Sequence, residues 1–318
     1  MPKVSVLIPV YGVERYIERC ARSLFEQTYE NIEYIFVDDC TKDGSIDILK
    51  KVLEEYPNRV RQVTIIHHEK NRGLAAARNT ALDASTGEYL MLVDSDDYLR
   101  IDAVAVLAQK MEQNHSDVVV FNYVIVDGVK SKKGAFYECS KKELIRSYLL
   151  NRLPASMWNK IYRSSFYKET GIKSIEGLDQ GEDYVVVPRI MEKAQCISFC
   201  EEPLYYYELD NSKSYSNNIS LKAVENMYNA DTVLFQFFSI ENRQIEFEDC
   251  LPLLFVRSAL FLVKSSSINN YGNIRAVYKG CSIPWMRMTV TDAFLYMLLM
   301  IRAFRVLYMV ICMYKRLH

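Results

Sequence analysis

Asp94-Ser95-Asp96-Asp97 places three carboxylates within four residues, directly after the apolar run Tyr89–Val93. Charges of one sign this close repel one another unless a cation joins them. Mg2+ and Mn2+ take carboxylate oxygens, typically from one or two side chains, and complete their shells with substrate phosphates. An Asp-x-Asp after a strand therefore reads as a divalent-metal anchor for a diphosphate. The alternative is a solvated acidic turn that also caps a helix beginning near Asp102.

Three further clusters bear on that choice: Pro9-Val10-Tyr11, then Val37-Asp38-Asp39 followed by Cys40 to Ser45, then Asn71-Arg72-Gly73 running to Ala77-Arg78-Asn79. An aromatic such as Tyr11 stacks on a base. A carboxylate such as Asp38 accepts a hydrogen bond from a base or ribose, and Arg78 offers a fork of donors to a carbonyl or phosphate. Each residue alone has an ordinary reading as core rim, turn or solvated helix face. Together they describe a nucleotide-diphosphate pocket.

The elements between the clusters bring them to one place. Val4–Pro9 is a continuous apolar run of strand length, and Tyr34–Val37, Val63–His67 and Tyr89–Val93 read as three further strands. Between them Tyr16–Gln27, Ile46–Tyr56 and Gly73–Ala84 repeat apolar residues at helical spacing, and a helix at Val104–Asn114 and a strand at Val118–Val124 follow. Such alternation predicts a mostly parallel, Rossmann-like sheet with helices on both faces, which binds ligands at the carboxyl ends of its strands. The middle is less regular, with a lysine-rich turn at Lys130–Gly134 and a last strand at Leu204–Tyr207; beyond Asn218 the pattern is helical.

Composition excludes several classes. Half of the 318 residues are apolar and only 11 are Gly and 8 Pro, which excludes a disordered or collagen-like chain. A formal charge of -1 gives no basic field for nucleic acid. The eight cysteines form no CxxC pair and read as reduced thiols, while Val4–Val10 is too short for a signal-peptide core; both predict a cytoplasmic setting. Gly-x-Gly-x-x-Gly, Walker and Gly-x-Ser-x-Gly signatures are absent.

The opening Val4-Ser5-Val6-Leu7-Ile8-Pro9-Val10-Tyr11, with Ser23-Leu24, Gln27-Thr28 and Val37-Asp38-Asp39, resembles glycosyltransferase family 2. Asn71-Arg72-Gly73, Ala77-Arg78-Asn79 and Gly87-Glu88-Tyr89 leading to Asp94-Ser95-Asp96-Asp97 extend the resemblance in order and at the family's spacing, over roughly residues 3–210. It implies a GT-A fold, inverting sugar transfer from a nucleotide-diphospho-sugar (a UDP-sugar by resemblance), and Mn2+ or Mg2+. It assigns Pro9, Tyr11, Asp38, Asp39, Arg78, Asp94 and Ser95 to donor binding, and Asp96 with Asp94 to the metal. Cys40 stands where the family more often has a small residue, which predicts a loop less free to adopt positive φ.

Gly181-Glu182-Asp183-Tyr184 resembles the family's Glu-Asp motif. An inverting transfer needs a base for the acceptor hydroxyl; Asp183 is assigned that role, with Glu182 second, against the alternative of an acidic pair favouring a helix dipole. Pro188 predicts a short or kinked helix there. Trp158 in Trp158-Asn159-Lys160 reads as a sugar platform or a buried anchor. Tyr205-Tyr206-Tyr207 reads as packing, and His67-His68 as a strand end.

Residues 285–318 carry five cations (Arg287, Arg302, Arg305, Lys315, Arg316) against Asp292 alone. Their longest uncharged runs, Ala293–Ile301 and Val306–Tyr314, fall short of the roughly 18 residues that span a bilayer. On one continuous helix the arginines would form a stripe, as in a helix lying in a membrane interface; packing on the domain or on a second copy is the alternative. The domains expected are a nucleotide-sugar half (1–120), an acceptor half (121–215), a helical extension (216–282) and an amphipathic tail (283–318). The expectation is a metal-dependent glycosyltransferase acting on a lipid-linked or growing polysaccharide acceptor, peripheral at the inner face of a membrane. A sugar-phosphate nucleotidyltransferase and a non-catalytic sugar-binding protein are the rivals.

Overall fold

The structure is a computed structural model describing residues 1–128, 130–178, 180–209 and 220–317, the side chains of 241–242 and 314–317 excepted. The chain divides into two compact units. The first comprises Met1–Lys141, Ser156–Gly177 and Arg189–Ser212, and the second Lys142–Ala155, Leu178–Pro188 and Lys213–His318.

All strands among the described residues belong to the first unit: β1 (Val4–Val10), β2 (Ile32–Asp38), β3 (Val63–His67), β4 (Tyr89–Leu92), β5 (Tyr98–Leu99), β6 (Val118–Asp127), β7 (Lys130–Lys133), β8 (Lys160–Arg163) and β9 (Ile197–Glu208). They form one sheet in the order β3-β2-β1-β4-β8-β6-β9-β5, with β7 on β6. The first four strands are parallel, Leu7 lying opposite both Ile35 and Leu92. Beyond them the sheet is mixed: β8 runs antiparallel to β4 and β6, and β9 runs parallel to β6.

The helices in chain order are α1 (Ile17–Phe25), α2 (Ser45–Glu54), α3 (Leu74–Ala84), α4 (Ala103–Asn114), α5 (Lys141–Leu149), α6 (Ser164–Glu169), α7 (Glu182–Lys193), α8 (Leu221–Phe238), α9 (Glu241–Glu246), α10 (Leu254–Ser265), α11 (Tyr271–Tyr278), α12 (Val290–Met300) and α13 (Phe304–Leu317). Strand alternation explains the continuous apolar runs. Val4, Val6, Ile8 and Val10 pack with Ile17, Leu24, Leu49 and Leu107 from α1, α2 and α4. Leu7, Leu90 and Leu92 turn the other way, towards Leu82 and Arg78 of α3.

Three local expectations change. Lys130–Lys133 is a strand, paired with Val124–Asp127, and its exposed lysines suit a sheet edge. The strand expected over four residues at Leu204 runs for twelve, because register shifts opposite Phe121, Asn122 and Tyr123 absorb the polar Glu201–Pro203. Helix α7 runs through Pro188, with Val185, Val186, Val187 and Ile190 fully buried to offset the lost backbone bond.

In the second unit α8, α10, α11 and α12 pack on one another around Leu234, Leu260, Leu262, Tyr278, Tyr296 and Leu299. The tail is two helices, broken where Arg302 takes φ 63. Arg287 lies in a 3-10 turn before α12, so the single stripe of arginines does not form; Arg316 lies outside the described side chains. Helix α12 is integral to its unit: Tyr296 Oη donates to Tyr278 O at 3.2 Å, Arg275 Nε to Met300 O at 2.8 Å, and Arg257 pairs with Asp292 at 3.0 Å. Among the described residues no helix is long and apolar enough to cross a membrane.

Candidate active site

β1 and β2 end in register, Val10 opposite Asp38, and His67 at the end of β3 lies opposite Asp38 in turn. The loops leaving this edge are tied together. Gly12 N–H donates to Thr41 Oγ1 (2.9 Å), Val13 N–H to Ser45 Oγ (3.1 Å), and Thr41 N–H to Asp38 Oδ1 (2.8 Å). His67 Nδ1 lies 2.8 Å from Asp38 Oδ2. Tyr11 is 50% exposed and presents an aromatic face at this edge. Pro9, by contrast, is buried within β1.

Asp39 is buried and touches the next loop. Its Oδ1 accepts from Arg72 N–H (2.8 Å) and meets His68 Nδ1 (2.7 Å); its Oδ2 accepts from Gly73 N–H (2.8 Å). His68 reaches on to Thr80 Oγ1 at 2.9 Å. Gly73, at φ 88 and ψ 165, occupies backbone space that is essentially glycine-only. The carboxylate thus fixes the Asn71-Arg72-Gly73 turn at the start of α3 by charge-assisted bonds. Cys40, expected to stiffen its loop, itself takes φ 59.

From α3 the buried Arg78 sends Nη2 to Asp94 Oδ1 at 3.0 Å. The acidic turn is held from behind. Asp94 N–H donates to Tyr205 Oη (3.1 Å), Tyr205 Oη donates to Asp97 Oδ2 (2.6 Å), and Asp97 Oδ1 accepts from Glu208 N–H (2.8 Å). Arg19 pairs with Glu208 at 2.8 Å, lies 4.2 Å over the Tyr98 ring, and donates to Asp96 O at 3.3 Å. Burial, with the charges of Asp96 and Asp94 beside it, pushes the Asp97 carboxyl well above its ordinary range. Trp158 is the buried anchor of this wall, stacked on Tyr205 (4.6 Å) and Tyr207 (5.3 Å) with the Tyr123 ring edge-on at 4.7 Å.

The acidic cluster thus resolves into two half-exposed carboxylates, Asp94 and Asp96, and one interior carboxylate, Asp97; Ser95 is buried between them. Asp102, at the N-cap of α4, makes no side-chain cap and pairs with Arg100 instead. Among the described residues no three His, Cys, Asp or Glu side chains converge on a metal position. Two accessible hard oxygen donors at a strand end fit Mg2+ or Mn2+ that also takes phosphate oxygens.

In the second unit Gly181 (φ 82) leads into α7, with Glu182 and Asp183 half-exposed in its first turn and Tyr184 buried behind them. Tyr11, Asp38, Arg78, Asp94 and Asp96 share the first unit's sheet edge; Glu182 and Asp183 belong to the second unit. The sequence reads His68 only as a strand end and Tyr205 only as packing, and neither reading reaches the contacts they make here. The signal for His68 was its place beside a strand end facing a paired Asp, and for Tyr205 its position two residues before another tyrosine on the same strand face.

An α/β sheet whose strand ends gather an exposed aromatic, a carboxylate, a buried arginine and an Asp-x-Asp turn has the architecture of a nucleotide-sugar enzyme. The model of glycosyl transferase family 2 matches residues 5–171, and the chain belongs to glycosyltransferase family 2. Glycosyltransferase EpsH of Bacillus subtilis is 32% identical over 216 residues, 65% of this chain and 61% of that protein. Poly(ribitol-phosphate) beta-N-acetylglucosaminyltransferase TarS of Staphylococcus aureus is 30% identical over 210 residues, 65% of this chain and 35% of that protein. The chain therefore matches less than two thirds of the length of either. Among solved structures, S. aureus TarS 1–349 in complex with UDP-GlcNAc matches at TM-score 0.74 and 21% identity, covering 99% of this chain and 92% of that one. A mannosyltransferase of Pyrobaculum calidifontis, in complex with GDP-Man and Mn2+, matches at TM-score 0.59 and 16% identity, covering 97% and 86%. These likenesses establish the GT-A fold.

Proposed function

We propose that this protein transfers a sugar, with inversion and dependence on a divalent metal, from a UDP-sugar to a hydroxyl of a lipid-linked or growing polysaccharide in cell-envelope or capsule synthesis. The observation that carries the reading is the Arg78–Asp94 pair at the carboxyl edge of the parallel strands, which joins a fork of phosphate-binding donors to the Asp-x-Asp turn. The complexes of TarS with UDP-GlcNAc and of the mannosyltransferase with GDP-Man and Mn2+ support the donor class and the metal.

Tyr11 stacks on the base and Asp38 accepts a hydrogen bond from base or ribose. Arg78 holds Asp94 in place, and Asp39 holds the Arg72-Gly73 turn beside it. Asp94 and Asp96 would hold Mn2+ or Mg2+, which supplies charge neutralisation to the leaving diphosphate. Asp183 takes the acceptor hydroxyl's proton as that oxygen bonds to the anomeric carbon. The bond from that carbon to the phosphate oxygen breaks with its electron pair on the diphosphate. Glu182 is the second choice of base. The protein works peripherally at the inner face of a membrane, with the α12–α13 segment as the contact.

The test is a panel of nucleotide-sugars incubated with and without Mn2+ or Mg2+. Nucleoside diphosphate released only with metal is the expected result, whereas pyrophosphate release, or sugar binding without turnover, overturns the reading. In the same assay Asp183→Asn should lower transfer by about 10²–10⁴-fold with donor affinity retained.

A further inference from the structure

Asp231 of α8 is completely buried, in the second unit, among groups that donate to it. Its Oδ1 accepts from Ser258 Oγ of α10 at 2.6 Å, and its Oδ2 from Tyr278 Oη of α11 at 3.0 Å. Tyr184 Oη of α7 lies 3.3 Å from Asp231 Oδ1 and 3.2 Å from Leu149 O, so its proton is held between α8 and the end of α5. Asn151 Nδ2 reaches Ser258 Oγ at 3.3 Å and completes the ring of polar contacts.

Tyr184 is the residue after the acid pair, and a second contact ties the same segment to the same helix. A Cβ on Gly181 would lie 3.3 Å from Met227 Sδ and 3.5 Å from Ala230 Cβ, so the backbone just before Glu182 rests against α8. Helix α8 therefore holds the motif on both sides of Glu182-Asp183: by backbone contact at Gly181 and by the Asp231–Tyr184 bond. A buried carboxylate is costly unless donors surround it, and hydrophobic burial alone would not require one here. What a carboxyl group adds is a pair of oxygens in fixed positions that three hydroxyls from three different helices can all reach.

We propose that Asp231 is a positioning residue for the transfer reaction, setting the placement of the Asp183 carboxylate by fixing Tyr184 and with it the first turn of α7. The proposal rests on the reading of Asp183 as the base. Asp231 touches neither substrate nor reacting atom, and its effect passes through Tyr184. Small displacements of a reacting group are enough for a large kinetic effect: about 1 Å costs up to about 10²-fold.

Three variants of the full chain separate the possibilities. Tyr184→Phe keeps the ring and removes the hydroxyl. Asp231→Asn keeps the shape and replaces one accepting oxygen by an amide donor. Asp183→Asn serves as the control on the base. For each, turnover is measured at saturating concentrations of whichever UDP-sugar the native protein uses best, together with donor KM, calorimetric binding of UDP with Mn2+, and thermal melting. The expected result is a fall in kcat of about tenfold or more for Tyr184→Phe and Asp231→Asn, with donor KM and UDP binding within about twofold of native. Native kcat per folded molecule in both variants, beside an inactive Asp183→Asn, would overturn the positioning role and leave the base in place. Full activity in Asp183→Asn would remove the base itself. Should Asp231→Asn not fold, Tyr184→Phe carries the same test alone, because losing one phenolic oxygen leaves the packing intact.

Discussion

Tyr205 donates its phenolic proton to Asp97 at 2.6 Å while its oxygen accepts the backbone N–H of Asp94. One hydroxyl thus clamps both ends of the Asp-x-Asp turn, and the Trp158 stack keeps its ring from moving. Tyr205→Phe keeps the stack and removes the clamp. Because Asp97 is fully buried, losing a donor should cost about 1–3 kcal/mol of stability in denaturant unfolding. The turn should also hold the proposed cation less well, and UDP affinity measured with Mn2+ should fall by about 10–100-fold, the usual cost of losing a partner behind metal ligands. Unchanged UDP–Mn2+ binding would mean that the remaining contacts, from Arg78 to Asp94, Arg19 to Asp96 O and Glu208 N–H to Asp97, fix the turn without Tyr205.

Asp96 is half-exposed at the same turn, outside the sheet's packing. Asp96→Asn should therefore leave the melting temperature near native while lowering metal-stimulated release of nucleoside diphosphate by about 10²-fold. The check is a titration of Mn2+ against product release. A variant that keeps both its rate and its metal requirement would place the ligand elsewhere.

Much of this site was legible in the sequence because parallel strands buried on both faces write themselves as unbroken apolar runs, and the polar residues after them must lie at the sheet edge. Val63–His67 matches its strand, Asp38 ends β2 and Asp94 follows β4, as spacing requires, while Arg78 lies within α3 and reaches back to Asp94. What spacing does not reveal is which carboxylate faces inward. Asp39 and Asp97 read like their neighbours, yet both are buried with their oxygens satisfied by backbone N–H groups or a phenol. That distinction arises from loop conformation, with Cys40 and Gly73 both at positive φ, and no periodicity encodes it. The C-terminal break fails for a related reason: at Arg302 a non-glycine residue takes the left-handed conformation, and nothing in the local composition marks it.

Asp231 leaves a trace that reads only in hindsight: it falls on the stripe Val224, Met227, Ala230, Leu234, Phe238 that α8 buries. Burial pushes its carboxyl up from 3.8 to about 8. The folded state thus binds a proton that the unfolded chain releases above about pH 4, so this contribution to stability is complete below that pH and lost progressively as pH rises to about 8. The groups facing it do not titrate there: Tyr184 and Tyr278 are pushed well above 10, Tyr228 is raised, and Cys281 is raised to about 11. Melting temperature should therefore fall more steeply between about pH 5 and pH 8 in the native protein than in Asp231→Asn. Parallel slopes would show that another group governs this range.

The surface of the α12–α13 segment gives the membrane assignment its test. Its sequence carries one acid, Asp292, and that residue is buried against Arg257 at 3.0 Å. Exposed side chains there include the apolar Met286, Val290, Ile301 and Met309, the cationic Arg287, Arg302 and Arg305, and the neutral Thr289 and Thr291. A surface without exposed acid and with protruding apolar groups suits an anionic bilayer, to which each arginine near the plane adds about 1 kcal/mol. Deleting the segment is a poor test, since Tyr296 and Leu299 of α12 are fully buried and their removal would open the unit's core. Replacing Met286, Val290, Ile301 and Met309 by Ser leaves that core untouched. The native protein should float with phosphatidylglycerol vesicles and not with phosphatidylcholine vesicles, and high salt should release part of it. The fourfold variant should stay at the bottom of the gradient with unchanged turnover of a soluble acceptor. Should the native protein ignore both vesicle types and sediment as a dimer that the same substitutions dissociate, this surface seats a second copy, and the membrane assignment falls.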